Sequence, residues 1–123
     1  MLKNLTGRSL TIYPLTGDQS LCEIPPSGAA ARVSVKMEPV WRLISHEGCG
    51  VPLVRPVQPS AAELAAALPP PEEDVTLIVT VVVAPLAWAA GRTDVVHMGD
   101  AVFGPDGRTQ IGARGLVPHP SFR

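Results

Sequence analysis

Hydrophobic and polar positions alternate in short runs along most of the chain. Leu2–Thr6 and Ser9–Pro14 read as short strands; LTIYP carries the alternation of a strand with one buried face. Thr6-Gly7-Arg8 is the bend between them. Pro25-Pro26-Ser27-Gly28 is a turn by residue type, because proline presets φ and glycine tolerates positive φ. Ala31–Met37 alternates again, with Val33 and Val35 on one face. Val40–Ser45 and Val51–Arg55 form the arms of a hairpin, with the glycine-bearing segment His46–Gly50 as its loop.

The helix signal is strongest after Ser60. A serine N-cap with Glu63 at the third helical position is a capping box. Ala and Leu follow to Leu68, and Pro69-Pro70-Pro71 stops the helix. Val75–Val83 is β-branched almost throughout, the pattern of a central strand covered on both faces. Ala84–Ala90 fits one or two helical turns with Pro85 in the first. Val95–Met98 and Ala101–Phe103 are short strands. Gly104–Gly107 is a turn, and Thr109–Val117 returns as its partner strand. Gly112 and Gly115 there suggest bulges or a close backbone approach. The sum is an α+β, mainly β single domain over residues 1–123, with one or two short helices and a loose tail at 118–123.

Composition narrows the function classes. A net charge of −1 argues against a nucleic-acid polymer and against an anionic membrane surface as partner. The N-terminal segment lacks the uncharged core of a signal peptide, and no apolar run is long enough to span a bilayer. A soluble, cytoplasmic protein is the expectation. Two cysteines, Cys22 and Cys49, make no disulfide framework and are expected as small buried hydrophobes.

Candidate chemistry concentrates between Gly91 and Leu116. Turn chemistry accounts for Asp106 and Gly107. It does not account for Arg92, Asp94, Asp100 and Arg114. Arg92 and Asp94 are alternate residues of an extended segment and share a side. Two readings stay open: an internal ion cluster with Arg114, or a guanidinium and a carboxylate offered to the phosphate and ribose of a ligand. His46 and Cys49 have half of a zinc pattern, but no second pair exists, so no metal is expected. No G-x-S-x-G, phosphate-binding loop or dinucleotide fingerprint is present. The reading leans away from an enzyme and calls for no cofactor.

The order of short motifs carries a likeness. N-L-T-G-R is followed by an alternating strand, I-P-P-S-G-A-A-A-R-V, I-V-T with a short helix, R-T-D-V, G-D-A-V-F-G-P-D-G-R and I-G-A-R-G-L. This resembles a family of small proteins associated with phages and prophages, over most of Asn4–Leu116. Members usually carry N-L-T-P-H where this chain has Gly7-Arg8, so the resemblance gives Arg8 no role. Thr80 keeps the hydroxyl of the usual I-V-S. The resemblance implies either a phage anti-defence sponge, which sequesters a nucleotide immune signal without turning it over, or a structural or assembly accessory of a phage particle. On the first reading Arg92 and Arg114 contact phosphate and Asp94 takes ribose hydroxyls or orients Arg92. Thr80 stands near a helix N-terminus, and Asn4 and Thr6 add polar groups. A homo-oligomer is compatible with either.

Overall fold

The computed structural model describes residues 1–28, 30–33 and 36–121. It is mostly strand, with two short helices, and forms a small α+β, mainly β fold. In chain order the elements are β1 (Leu2–Asn4), β2 (Leu10–Tyr13), β3 (Cys22–Ile24), β4 (Lys36–His46), β5 (Cys49–Val57), α1 (Ala61–Ala67), β6 (Thr76–Val79), α2 (Val83–Ala89), β7 (Val95–Phe103) and β8 (Gln110–Val117). Six of the strands form one sheet in the order β1-β6-β7-β8-β2-β3; among the described residues, β4 and β5 pair only with each other.

The large sheet curls until its edges meet. Asn4 at the end of β1 bridges Pro26 just beyond β3, and the Ser27 amide donates to the Asn4 carbonyl at 2.8 Å. The result is a small barrel, closed at a β1–β3 seam, which removes the exposed edges of an open sheet. Side chains from β2, β6, β7 and β8 fill its interior: Leu10, Ile12, Ile78, Val96 and Ala113. Pleating sends the alternate residues Leu77, Val79 and Val95 outward, where they pack against Leu64 of α1 and Val83, Ala84 and Ala87 of α2. β6 is therefore covered on both faces, as its continuous apolar run requires, and Ile78 and Val79 are wholly buried.

The elements differ from the sequence reading where a boundary depends on distant partners. The run Val75–Val83 is strand only to Val79; α2 begins at Val83, and Thr80 between them accepts the Val83 and Ala84 amides at 3.1 Å each. β-Branched residues alone cannot mark that change. The segments Val95–Met98 and Ala101–Phe103 are one nine-residue strand. Gly99 reads as a break but is needed inside it, because a Cβ there would lie 2.2 Å from the Arg114 carbonyl oxygen of β8. Gly112 answers the same need toward Thr11. β3 was hidden by its short length and exposure. Ala31–Val33 is not strand, and Val35 of the expected alternating segment lies outside the described residues.

α1 is capped as its sequence implies: the Ser60 hydroxyl accepts the Glu63 amide at 3.1 Å. Gly104–Gly107 is a turn. Asp106 accepts the Arg108 and Thr109 amides and the Thr109 hydroxyl there, which holds its carboxyl down at about 2. Both cysteines are free and exposed, against the expectation of burial; Cys22 lies on a short strand at the seam and Cys49 at a hairpin tip. In the tail, His119 packs edge-on against Trp88 with ring centroids 5.8 Å apart. Phe122 and Arg123 are outside the described residues.

Candidate site at the barrel mouth

β1 and β6 end at the same end of the barrel at which β2 and β8 begin. β1, β6 and β7 run parallel, β8 opposes β7, and β2 runs parallel to β8. A cleft of about 310 Å³ opens at this end, lined by Thr6, Arg8, Ser9, Leu10, Thr11, Thr80, Met98, Gln110, Ile111 and Gly112. Ligand sites in barrels favour such mouths, and this volume is at the small end of their range. The ladder between β7 and β8 shifts register at Val102/Phe103, which leaves Ile111 as the bulged residue on the rim.

Local chemistry explains how the polar groups reach the cleft. Gly7 takes φ +83°, which lets the chain reverse tightly between Thr6 and Arg8. The Thr6 hydroxyl donates to the Asn4 side-chain oxygen at 2.6 Å, and the Arg8 amide lies 3.4 Å from the same hydroxyl. Arg8 is thus fixed at its backbone. Its guanidinium takes part in none of the ion pairs among the described residues. Among the described residues no acidic side chain lines the cleft, so a cation faces a mouth of hydroxyls, an amide and apolar groups.

The structure brings two of the sequence candidates, Thr6 and Thr80, into this cleft. The other four are engaged elsewhere. Asn4 is wholly buried. Its amide donates to the Arg8 and Ile24 carbonyls at 2.7 and 2.9 Å, and its oxygen accepts the Thr6 amide and hydroxyl. Every hydrogen-bonding position of the side chain is filled, and it rivets the barrel seam.

Arg92 and Asp94 form a two-pronged pair, with nitrogen–oxygen distances of 3.0 and 2.9 Å. Arg92 also donates to the Pro69 carbonyl at 2.9 Å, tying the exit of α1 to the start of β7. The hydrogen bond from Arg92 holds the Asp94 carboxyl below the usual carboxylate range, and its partner raises Arg92 in turn. Arg114 does not join them. It donates to the Pro14 and Gly17 carbonyls at 2.9 and 3.0 Å and fastens the loop after β2. Of the two readings open for the Arg–Asp pair, this geometry is that of an internal ion pair.

Thr80 differs from its expected setting too. α2 is only seven residues long, and its first amides are taken by the Thr80 carbonyl, so the helix start offers little to an anion. The hydroxyl's position on the cleft wall is what remains. The sequence reading missed Arg8 and Gln110. The signal for Arg8 was the Thr6-Gly7-Arg8 bend itself, a cation held on a glycine turn beside polar residues.

Among the described residues, no group of three or more His, Cys, Asp or Glu side chains is placed to hold a metal ion. No helix is long and apolar enough to cross a membrane. No family model matches the chain, and neither does any curated protein or solved structure.

Proposed function

We propose that the protein binds a small phosphorylated or nucleotide-like ligand at the barrel mouth and releases it unchanged. The observation that carries this reading is Arg8: a guanidinium outside every described ion pair, on the rim of a cleft that also presents Thr6, Thr80 and Gln110. A guanidinium matches phosphate in shape and charge, and the Thr80 hydroxyl and the Gln110 amide suit the remaining oxygens, the Thr6 proton being given to Asn4. The lining holds no carboxylate, histidine or cysteine to act as acid, base or nucleophile, which favours retention over turnover. The family resemblance directs this toward sequestration of a nucleotide immune signal.

Thermal-shift measurements against ADP-ribose and its cyclic isomers, cyclic dinucleotides and ordinary mononucleotides test it. One class is expected to raise the melting temperature in a dose-dependent way, since a ligand that binds only the folded state stabilises it by mass action. The ligand is expected back intact after denaturation. Arg8→Ala should remove the shift and Arg92→Ala should keep it. Absence of any shift across the panel would count against the reading.

An assembly role is the second reading, favoured by one observation: β4 and β5 leave many large apolar residues in contact with water.

A further inference from the structure

The size, charge and donor inventory of the barrel mouth discriminate among phosphorylated ligands. The cleft volume of about 310 Å³ stands at the lower limit of small-molecule sites, which run from roughly 300 to 1,000 Å³. Its floor is apolar: Leu10 and Met98 belong to the packing of the barrel interior, and Ile111 is exposed on the rim. Among the described residues, Arg8 is the single charged side chain of the lining.

The polar groups of the mouth are not equivalent. The Thr6 proton goes to the Asn4 oxygen at 2.6 Å, and the Ser9 hydroxyl donates to the Glu23 carboxylate. Both oxygens can still accept, but neither has a proton left for an anion. Thr80 holds the start of α2 through its carbonyl, which leaves its hydroxyl to the cleft. Gln110 gives one amide proton to the Gly112 carbonyl at 3.3 Å and keeps the other. The donors open to an anion are therefore the Arg8 fork, one Thr80 proton and one Gln110 proton.

One phosphate group uses all three. The guanidinium takes two oxygens side by side, and the hydroxyl and amide protons serve what remains. A second phosphate would meet Ser9, whose proton is spent, and behind it the negative charge of Glu23. Arg32 does not supply the missing cation. Its guanidinium comes near the Gly7 turn, but it lines a separate hollow with Lys36 and Glu63 of α1.

We infer that the ligand of the barrel mouth is a nucleoside bearing a single phosphate group, and that two-phosphate ligands, dinucleotide or pyrophosphate-bridged, are rejected. This rests on the reading of the mouth as a phosphate site and narrows it. The base lies over Leu10, Met98 and Ile111, where the Met98 thioether suits the face or edge of an aromatic ring. The phosphate meets Arg8, Thr80 and Gln110. Sugar hydroxyls donate to the Thr6 and Ser9 oxygens, which are left with acceptor capacity alone.

Isothermal titration of the purified chain tests this. The probes are the common nucleosides, their monophosphates in open and cyclic form, cyclic dinucleotides and ADP-ribose. One monophosphate should bind about ten-fold or more tightly than its own nucleoside, than the cyclic dinucleotide of the same base and than ADP-ribose. Arg8→Ala should bring that monophosphate down to the affinity of its nucleoside. Thr80→Val keeps the carbonyl that holds α2; it should weaken the monophosphate and leave the nucleoside unchanged. A cyclic dinucleotide or ADP-ribose that matches the monophosphate, and is lost in Arg8→Ala, would overturn the inference while the phosphate reading stands. Binding indifferent to both substitutions, or no binding by any probe, would overturn both.

Discussion

Asn4 and Trp41 mark the two extremes of this chain. Asn4 is a polar side chain, wholly buried in the barrel wall, with all of its hydrogen-bonding positions filled. Trp41 is the largest apolar type, held in an uncommon backbone conformation and left almost fully in water. The barrel closes on itself: its edges meet, its helices cover the wall, and among the described residues no buried side-chain polar atom lacks a partner. The arm formed by β4 and β5 does the reverse. The closed body hides its apolar residues, whereas the arm leaves large ones exposed on both of its strands. The same contrast sorts the arginines. Arg92 and Arg114 are tied to internal partners, and Arg8 is not.

Substitutions in the two regions should separate by size of effect. Gly99→Ala should be the most severe, because its Cβ would meet the Arg114 carbonyl at 2.2 Å and neither strand can retreat without opening the barrel. A loss of about 4 kcal/mol or more is expected, read from urea unfolding. Asn4→Ala strands the Ile24 and Arg8 carbonyls at the seam and should cost about 3 kcal/mol. If either variant unfolds at the same urea concentration as the parent, the closed-barrel account fails.

Arg92→Ala comes next. It leaves Asp94 and the Pro69 carbonyl without their partner in a site where both side chains are about four-fifths covered, at 19% and 21% exposure. A loss of roughly 2 kcal/mol is expected, with ligand-induced stabilisation unchanged. The pH dependence follows from Asp94. Its folded carboxyl titrates below the unfolded value near 4, so its contribution is present above about pH 4 and fades as the pH falls through the lower folded value. Asp106 works in the same direction, between about 4 unfolded and about 2 folded. Melting curves below pH 4 should therefore fall less steeply in Arg92→Ala than in the parent. The smallest effect belongs to the arm: Val54→Asp should change barrel stability by less than about 0.5 kcal/mol. A larger loss would mean that the arm supports the barrel after all.

What could be read from the sequence follows the range of the interactions. The Ser60 cap, the Pro-Asp-Gly turn, the doubly covered strand at Ile78 and the existence of the arm are local or periodic signals, and each was legible. Boundaries set by distant backbone were not. Gly99 looks like a break until β8 is laid beside it. The arm's loop looks like five residues until the His46–Cys49 pairing shortens it to two. Asn4 reads as an available polar group because its partner carbonyl at Ile24 is 20 residues away. Arg92 and Asp94 were legible as a pair, but the Pro69 carbonyl that completes their internal role is 23 residues from Arg92. Arg8 went unchosen for the converse reason: the cleft that gives it significance exists only once β2, β6 and β8 converge.

The most direct measurement is an amide-resolved NMR titration of the protein with the stabilising member of the nucleotide panel. The account predicts shifts centred on Arg8, Thr11, Thr80 and Gly112, with the amides of Arg92, Asp94 and the arm at rest. Shifts centred on Arg92 and Arg114, or on the arm, would contradict a ligand site at the barrel mouth.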